Sequence, residues 1–355
     1  MTSISNNITP DAPEAFSWAK YFNQNSEEAL ILQPLYLDRS AWLDHIPFAF
    51  WLIATLKPKR VVELGTHRGV SYFAMCQAIK YFNIQADAFA VDTWKGDEHA
   101  GFYDEDVYKK VNAHNGQQYA SFSRLVRSDF NEAVTYFEDQ SIDLLHIDGL
   151  HTYEAVKNDF ETWLPKLSKN AIVIFHDINV RERGFGVFKL FGELKQKYPF
   201  FEFTHGHGLG VLKVGQNENQ LLDSFLSIPD SSEDSLYIKR LFSHIGSKFI
   251  SDLEVESLKK ENKVTRDKLK KHEEVIAKKN NDLKVALNKA KESDSYKEKL
   301  DRQVGELAKL ANAYSKKDSE LLRKKSELNA IKGSTSWKIS YPVRAFGKLY
   351  KRLKK

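Results

Sequence analysis

Two acid–histidine groupings carry the strongest chemical signal in this sequence: Asp148-Gly149-Leu150-His151 and His176-Asp177. Each closes a short apolar run, Ile142–Ile147 and Ala171–Phe175, of the kind that forms a buried strand. On adjacent parallel strands, both groupings meet at the carboxyl edge, where open α/β sheets bind ligands. Asp148 and Asp177 could share a hard divalent cation, Mg or Mn, with His176 or water completing the shell. A histidine in that shell shifts the preference toward nitrogen-tolerant ions such as Mn²⁺ or Fe²⁺. The plainer alternative makes His151 a cap on the next helix and His176 a core histidine. Two acid–histidine pairs at one sheet edge weigh against it.

A second grouping lies upstream, in Glu63-Leu64-Gly65-Thr66-His67-Arg68-Gly69. A glycine-rich turn between a first strand and its helix lets a ligand approach backbone N–H groups at the helix N-terminus. The spacing Glu-x-Gly-x-x-x-Gly differs from the dinucleotide pattern Gly-x-Gly-x-x-Gly. Asp92 ends the second strand, where a carboxylate can accept ribose hydroxyls, and Ser128-Asp129 follows the third, where an adenine edge would lie. Together they argue for an adenosyl ligand without a pyrophosphate, which points to S-adenosylmethionine. Asp92 as an ordinary strand-end turn residue is the bland alternative.

The elements that must hold these residues follow from periodicity. Strands are expected at Arg60–Leu64, Ala88–Asp92, Arg124–Arg127, Ile142–Ile147 and Ala171–Phe175, with helical patterns between them. Phe200–Thr204 and Leu209–Val214, split by the glycine-rich His205-Gly206-His207-Gly208, look like a closing antiparallel pair. This alternation implies right-handed crossovers and an α/β, Rossmann-like, doubly wound and mostly parallel sheet. The long charged and aromatic segment Trp94–Gln118 over the ligand edge reads as a lid or acceptor site. Arg181-Glu182-Arg183 could meet an anionic acceptor group or lie on the surface.

Val61–Gly69, Val91–His99, Ile147–Tyr153 and Phe175–Asp177 resemble class I S-adenosylmethionine-dependent methyltransferases, over roughly residues 40–214. The subgroup they look most like occurs in bacterial polysaccharide and glycosyltransferase loci. The resemblance implies a seven-stranded sheet with the last strand antiparallel. It also implies that Glu63, Gly65, Thr66, Gly69, Asp92, Ser128 and Asp129 surround the cofactor. Related sugar and macrolide O-methyltransferases carry Asp-Gly-x-His after strand four and an acidic pair after strand five that binds magnesium. The likeness therefore makes His151 the general base and Asp148, His176 and Asp177 the metal ligands, although His176 stands where an acid is usual.

Composition bounds the rest. The 355 residues are 42% hydrophobic and 28% charged, enough for a sizeable core and unlike a disordered chain. A lone cysteine, Cys76, excludes an intramolecular disulfide and a cysteine zinc cage and fits a reducing compartment. The first residues lack the basic and apolar regions of a secretory signal, and Ile46–Leu56 is too short to span a bilayer. Residues 1–215 hold 21 basic against 27 acidic side chains, and residues 216–355 hold 32 against 21. The positive charge thus belongs to the C-terminal part.

Five segments are expected: a helical extension at 1–57, the methyltransferase domain at 58–215, a connector at 216–251, a coiled coil at 252–332 and a basic amphipathic tail at 333–355. One heptad register fits Leu269 to Leu328, with Leu269, Ile276, Leu283, Ala290, Lys297, Val304, Ala311, Asp318 and Lys325 at a. Read as one long helix without a returning partner, it predicts a parallel homo-oligomer and a stalk on the order of 120 Å. The tail Trp337–Lys355 has seven basic residues, no acidic one and an aromatic face, an interfacial-helix pattern suited to an anionic membrane surface. No nucleic-acid reading module accompanies it.

The expected function is a cytoplasmic O-methyltransferase, peripheral at the inner face of the plasma membrane. Its acceptor would be a sugar hydroxyl of a surface glycan or of its lipid-linked saccharide precursor. A catalytically degenerate scaffold working through the coiled coil is the first alternative. An NAD-type Rossmann oxidoreductase is the second.

Overall fold

The computed structural model describes residues 17–97, 101–103, 105–216, 218–290 and 297–334. The tail from residue 335 onward lies outside the described residues, as do Glu98, His99 and Asp104 of the charged insertion. Two units are present, one ending at Phe249 and the other starting at Ile250.

The first unit is built on seven strands: β1 Arg60–Leu64, β2 Asp87–Asp92, β3 Ser123–Arg127, β4 Ile142–Ile147, β5 Leu167–His176, β6 Phe200–Phe203 and β7 Leu209–Lys213. Their order is β3-β2-β1-β4-β5-β7-β6. β1 to β5 pair in parallel, while β7 runs antiparallel to both β5 and β6. β4 is buried at every position because helices cover both faces of a parallel sheet. Its two polar residues are therefore partnered: Asp143 accepts from the Lys59 N–H at 2.6 Å, and His146 meets Glu63. The order reverses between β1 and β4, which opens a crevice beyond their carboxyl ends.

Helix α4, Val70–Tyr81, begins at Gly69, whose φ of 79° needs a residue without Cβ. Helix α7, Tyr153–Trp163, is capped by Thr152, whose hydroxyl accepts from the Ala155 N–H at 3.2 Å. The cap is thus not His151. The N-terminal segment supplies α1, Trp18–Tyr21, α2, Gln24–Ile31, with a reciprocal Asn23–Ser26 capping box, and α3, Ile46–Leu56, while α5, Glu105–Gln118, α6, Phe130–Ala133, and α8, Val187–Leu194, lie between the strands in sequence. α3 is apolar on all sides and correspondingly buried, and Pro47 sits in its first turn, where its missing N–H costs nothing.

Residues 216–251 are not a connector. Helix α9, Gln220–Leu226, and the start of α10, Glu233–Ala290, fold onto the first unit. Phe225 lies 4.5 Å from the Trp51 ring, and Phe242 lies 5.6 Å from both Phe48 and Phe203. Leu222, Phe225, Ile238, Phe242 and Phe249 recur at helical spacing and are buried, a pattern masked by the polar residues between them.

The second unit corrects the single stalk. α10 ends at Ala290, and α11, Lys297–Gly333, returns alongside it. Lys279 pairs with Glu306 at 3.1 Å, Tyr314 bonds Glu273, and Lys324 bonds Glu261, contacts that only antiparallel helices can make in that order. On α10 the less exposed positions alternate by three and four, from Leu258 through Leu269 and Ile276 to Ala286. On α11 the seam runs through Leu300, Leu307, Leu310, Tyr314, Leu321 and Leu328. Val304, Ala311 and Asp318, expected at the seam, are exposed, because the returning helix keeps its own register. The seam is covered within one chain, so it does not by itself require a second copy. Glu273→Cys with Tyr314→Cys, treated with a short bismaleimide at submicromolar protein, should give a within-chain product. The single native cysteine, Cys76, is buried and does not compete. Products joining two chains would mean that another copy makes the return.

Candidate active site

A cavity of about 400 Å³ opens beyond the carboxyl ends of β1, β2, β4 and β5. Its first wall is the turn after β1. Gly65 has φ 88°, and a Cβ there would lie 2.1 Å from the Asp148 carbonyl oxygen. The turns after β1 and β4 pack backbone to backbone at this point. Asp92 ties this wall to the next. Its carboxylate accepts from the N–H groups of Thr66 at 2.9 Å, His67 at 2.8 Å and Trp94 at 2.6 Å. Burial raises its pKa, against the pull of those three N–H bonds. The Trp94 indole donates to the His67 carbonyl at 3.1 Å, and both residues have positive φ.

Of the expected cofactor residues, Gly65, Asp92 and Asp129 line the cavity, and Glu63, Thr66, Gly69 and Ser128 do not. Thr66 contributes its N–H to Asp92. The Ser128 N–H donates to the Asp92 carbonyl at 3.2 Å. Asp129 caps the short helix Phe130–Ala133 through the Glu132 N–H at 2.9 Å. Glu63 is fully buried, 2.7 Å from His146 Nδ1, and His146 Nε2 accepts from the Trp42 indole at 3.2 Å. This chain joins the N-terminal segment to β1 and β4, so Glu63 serves the fold rather than the cavity.

The second wall gathers the acid–histidine groupings. His151 Nε2 stands 2.8 Å from Asp177 Oδ2 and 3.4 Å from Asp148 Oδ1, with its ring stacked on Phe185 at 4.5 Å. Asp177 itself has φ 60°, and its Oδ1 meets His207 Nδ1 at 3.1 Å. Donor atoms of Asp148, His151 and Asp177 lie within 4.8 Å of one another, a set of two carboxylates and an imidazole that fits a small divalent cation. His176 departs from its expected place in that set. Its Nε2 donates to the Gly206 carbonyl at 2.9 Å, and its Nδ1 faces Asp148 at 3.3 Å and Asp177 at 3.4 Å.

Burial disfavours charge on these imidazoles, but the carboxylates outweigh it. Asp148 and Asp177 push His151 up to about 9 and His176 up to about 10. Burial opposes ionisation of the two aspartates as well, and the imidazoles overcome it, holding both below the usual carboxylate range. A raised histidine adds stability that is whole below its unfolded value, about 6.5, and is lost as pH climbs through the folded one. A lowered carboxylate adds stability that is whole above about 4 and is lost in acid. The quartet therefore stabilises most between about pH 4 and 6.5. The melting temperature should fall from there toward pH 10, and fall less in Asp148→Asn. A level profile across that range in the native protein would contradict the geometry.

The sequence pointed to part of the remaining lining: Tyr103 lies in the insertion expected to be a lid or acceptor site, and Arg183 in the segment that could meet an anionic group. His67, stacked on Tyr103 at 4.6 Å, lines the cavity together with Phe130, Phe185, His207 and Arg39. Tyr103 is the one residue of the charged insertion's first half, among those described, that combines a cavity position with a stacked ring. His207 had a usable signal, the two histidines of the glycine-rich turn between β6 and β7. Arg39 had none, since it precedes the sheet by a full helix.

Strand order, antiparallel closing pair and switch-point cavity define a Rossmann-like fold of the class I methyltransferase type. Residues 62–178 match the family model of a methyltransferase domain. A curated relative, an uncharacterized protein of Sinorhizobium fredii, is 48% identical over 221 residues. That match takes in 62% of this chain and 24% of the relative, so the chain spans about a quarter of that protein's length. Among solved structures, a methyltransferase from Geobacter sulfurreducens is 19% identical, with a TM-score of 0.38, over 51% of this chain and 81% of that one. The O-methyltransferase TomG from Streptomyces achromogenes, in complex with SAM, is 12% identical, with a TM-score of 0.38, over 55% and 91%. Among the described residues, no helix is long and apolar enough to cross a membrane.

Proposed function

We propose that the protein is an S-adenosylmethionine-dependent O-methyltransferase acting on a sugar hydroxyl of a bacterial surface polysaccharide or of its lipid-linked precursor. The observation that carries this reading is one cavity shared by the Asp92-organised turns and the His151–Asp177 pair. The cofactor would lie along the Gly65, Asp92 and Asp129 side. The acceptor hydroxyl would face His151. As the hydroxyl oxygen attacks the sulfonium methyl, its proton passes to His151 Nδ1, because Nε2 donates to the Asp177 carboxylate. The carbon–oxygen bond forms, the carbon–sulfur bond breaks, and S-adenosylhomocysteine leaves. Asp177 and Asp148 stabilise the imidazolium so formed. Holding nucleophile and methyl in line supplies much of the acceleration.

Asp148 and Asp177 would hold a divalent cation beside His151, which keeps the part of the base. Bound there, it would supply Lewis-acid polarisation of the acceptor oxygen. Turnover that survives EDTA would remove the cation and leave the base. The reading as a whole is tested by calorimetry with S-adenosylhomocysteine and by transfer of labelled methyl from S-adenosylmethionine to isolated surface glycans. Heat from NAD and none from S-adenosylhomocysteine would overturn it, and cofactor binding without transfer to any glycan would favour a scaffold.

The basic segment 337–355 is proposed to hold the enzyme at an anionic membrane face, several lysines and arginines adding about 1 kcal/mol each. Removing it should release the protein from anionic vesicles in a flotation assay, and continued flotation would defeat the anchor.

A further inference from the structure

We propose that the acceptor carries a negative charge near its reacting hydroxyl, and that Arg183 binds that charge. The inference takes the reaction from the reading above, but its binding test stands apart from it.

The cations around the cavity are mostly occupied. Arg68 and Lys110 pair with Asp38 at 3.7 and 2.5 Å. Arg127 grips both oxygens of Glu105 at 2.8 and 2.7 Å, and Arg181 donates to the Ile178 carbonyl at 2.8 Å. Arg39 and Arg183 line the cavity, and among the described residues neither has a carboxylate at ion-pair distance. The carboxylates of the cavity are engaged elsewhere. Asp92 takes three N–H groups, Asp129 caps a helix, and Asp148 and Asp177 face histidines. A guanidinium left without a counter-charge presents a planar fork of donors that matches a carboxylate or a phosphate.

The two arginines belong to different ends of the cavity. Arg39 follows Asp38, which pairs with Arg68 of the turn carrying Gly65. It therefore stands on the cofactor side, where the carboxylate of the cofactor's amino-acid end needs a cation. Arg183 lies 5.3 Å from the Phe185 ring, and that ring stacks on His151 at 4.5 Å with an interplanar angle of 8°. Arg183 is thus one aromatic ring away from the base. Its backbone is left-handed, with φ 54°, and Gly184 follows at φ 75°. The ligand class is an acidic saccharide, its charge supplied by a uronate carboxylate or by a sugar phosphate.

The test uses the full chain on a printed array of bacterial surface glycans. Each acidic glycan is paired with its carboxyl-reduced or phosphatase-treated counterpart, which separates the two sources of charge. Binding is read with and without S-adenosylhomocysteine. The acidic member should bind roughly ten- to a hundredfold more tightly. Arg183→Gln should erase that preference, and Arg183→Lys should restore part of it. Arg39→Gln should keep the preference and weaken S-adenosylhomocysteine in calorimetry. Equal binding of acidic and neutral partners, or a preference that survives Arg183→Gln, would overturn the proposal, and so would a preference lost in Arg39→Gln instead. Failure of S-adenosylhomocysteine to bind would overturn the methyltransferase reading alone, since the array reports the acceptor side independently.

Discussion

In His151→Ala, kcat should drop by roughly 10²–10⁴ while S-adenosylhomocysteine binds as before. The imidazole lines the cavity and is held there by Asp177 at 2.8 Å and by the Phe185 ring. Asp177 and Phe185 both lie beyond β5, away from the turns after β1 and β2. The pH profile separates a base from a merely structural group. With its pKa pushed up to about 9, His151 takes up protons strongly once it is neutral, but few molecules are neutral at pH 7. The fraction ready to act there is about one in a hundred. In the metal-free enzyme, kcat should therefore rise toward about pH 9 and level off, and the rise should vanish in His151→Ala. Asp177→Asn removes one carboxylate that raises the imidazole, so its rise should come at lower pH. A wild-type rate that is flat from neutral to alkaline pH would end the assignment of His151 as base.

Gly65→Ala should be among the most disruptive single-methyl changes in the first unit. The added carbon would lie 2.1 Å from the Asp148 carbonyl oxygen and 2.6 Å from its carbon. Both are backbone atoms, so no flexible side chain can swing aside. The residue must also keep φ 88°, a conformation costly to any residue with a Cβ. Strain and forced separation together cost about 2–5 kcal/mol. For a unit of this size, the melting temperature should fall by roughly 5–15 °C. Because the displaced atoms belong to Asp148, cofactor affinity and turnover should fall together. An alanine variant with native melting and native binding would show that the two turns do not meet as described.

Much of the sheet could be read from the chain because buried parallel strands have a plain signature. Ile142–Ile147 and Arg60–Leu64 are apolar runs stopped by glycine or acid, and they became strands with those bounds. Asp148, His151 and Asp177 follow from strand ends for the same reason. What sequence order could not supply was direction within a shell. His176 borders Asp177, yet Gly206, thirty residues on, supplies the carbonyl that holds its Nε2. Glu63 sits in a recognisable motif, but its partner His146 belongs to another strand. The segment 216–251 looked polar because its buried positions are spaced along helices rather than grouped. The heptads were real, but periodicity is blind to whether a helix meets a copy of itself or its own return.

One carboxylate, that of Asp92, holds three backbone N–H groups from two different turns before any ligand arrives. The ordering entropy of those turns is therefore spent during folding rather than at binding. A cofactor entering on the proposed side would find these two turns already set, with no ordering cost from them at binding. The same rigidity sets a limit on tolerance. Because the turn after β1 is held both by Asp92 and by the close approach at Gly65, it has little room to yield to an enlarged adenosyl group. Selectivity for a cofactor of one size is then a by-product of how the turns are tied.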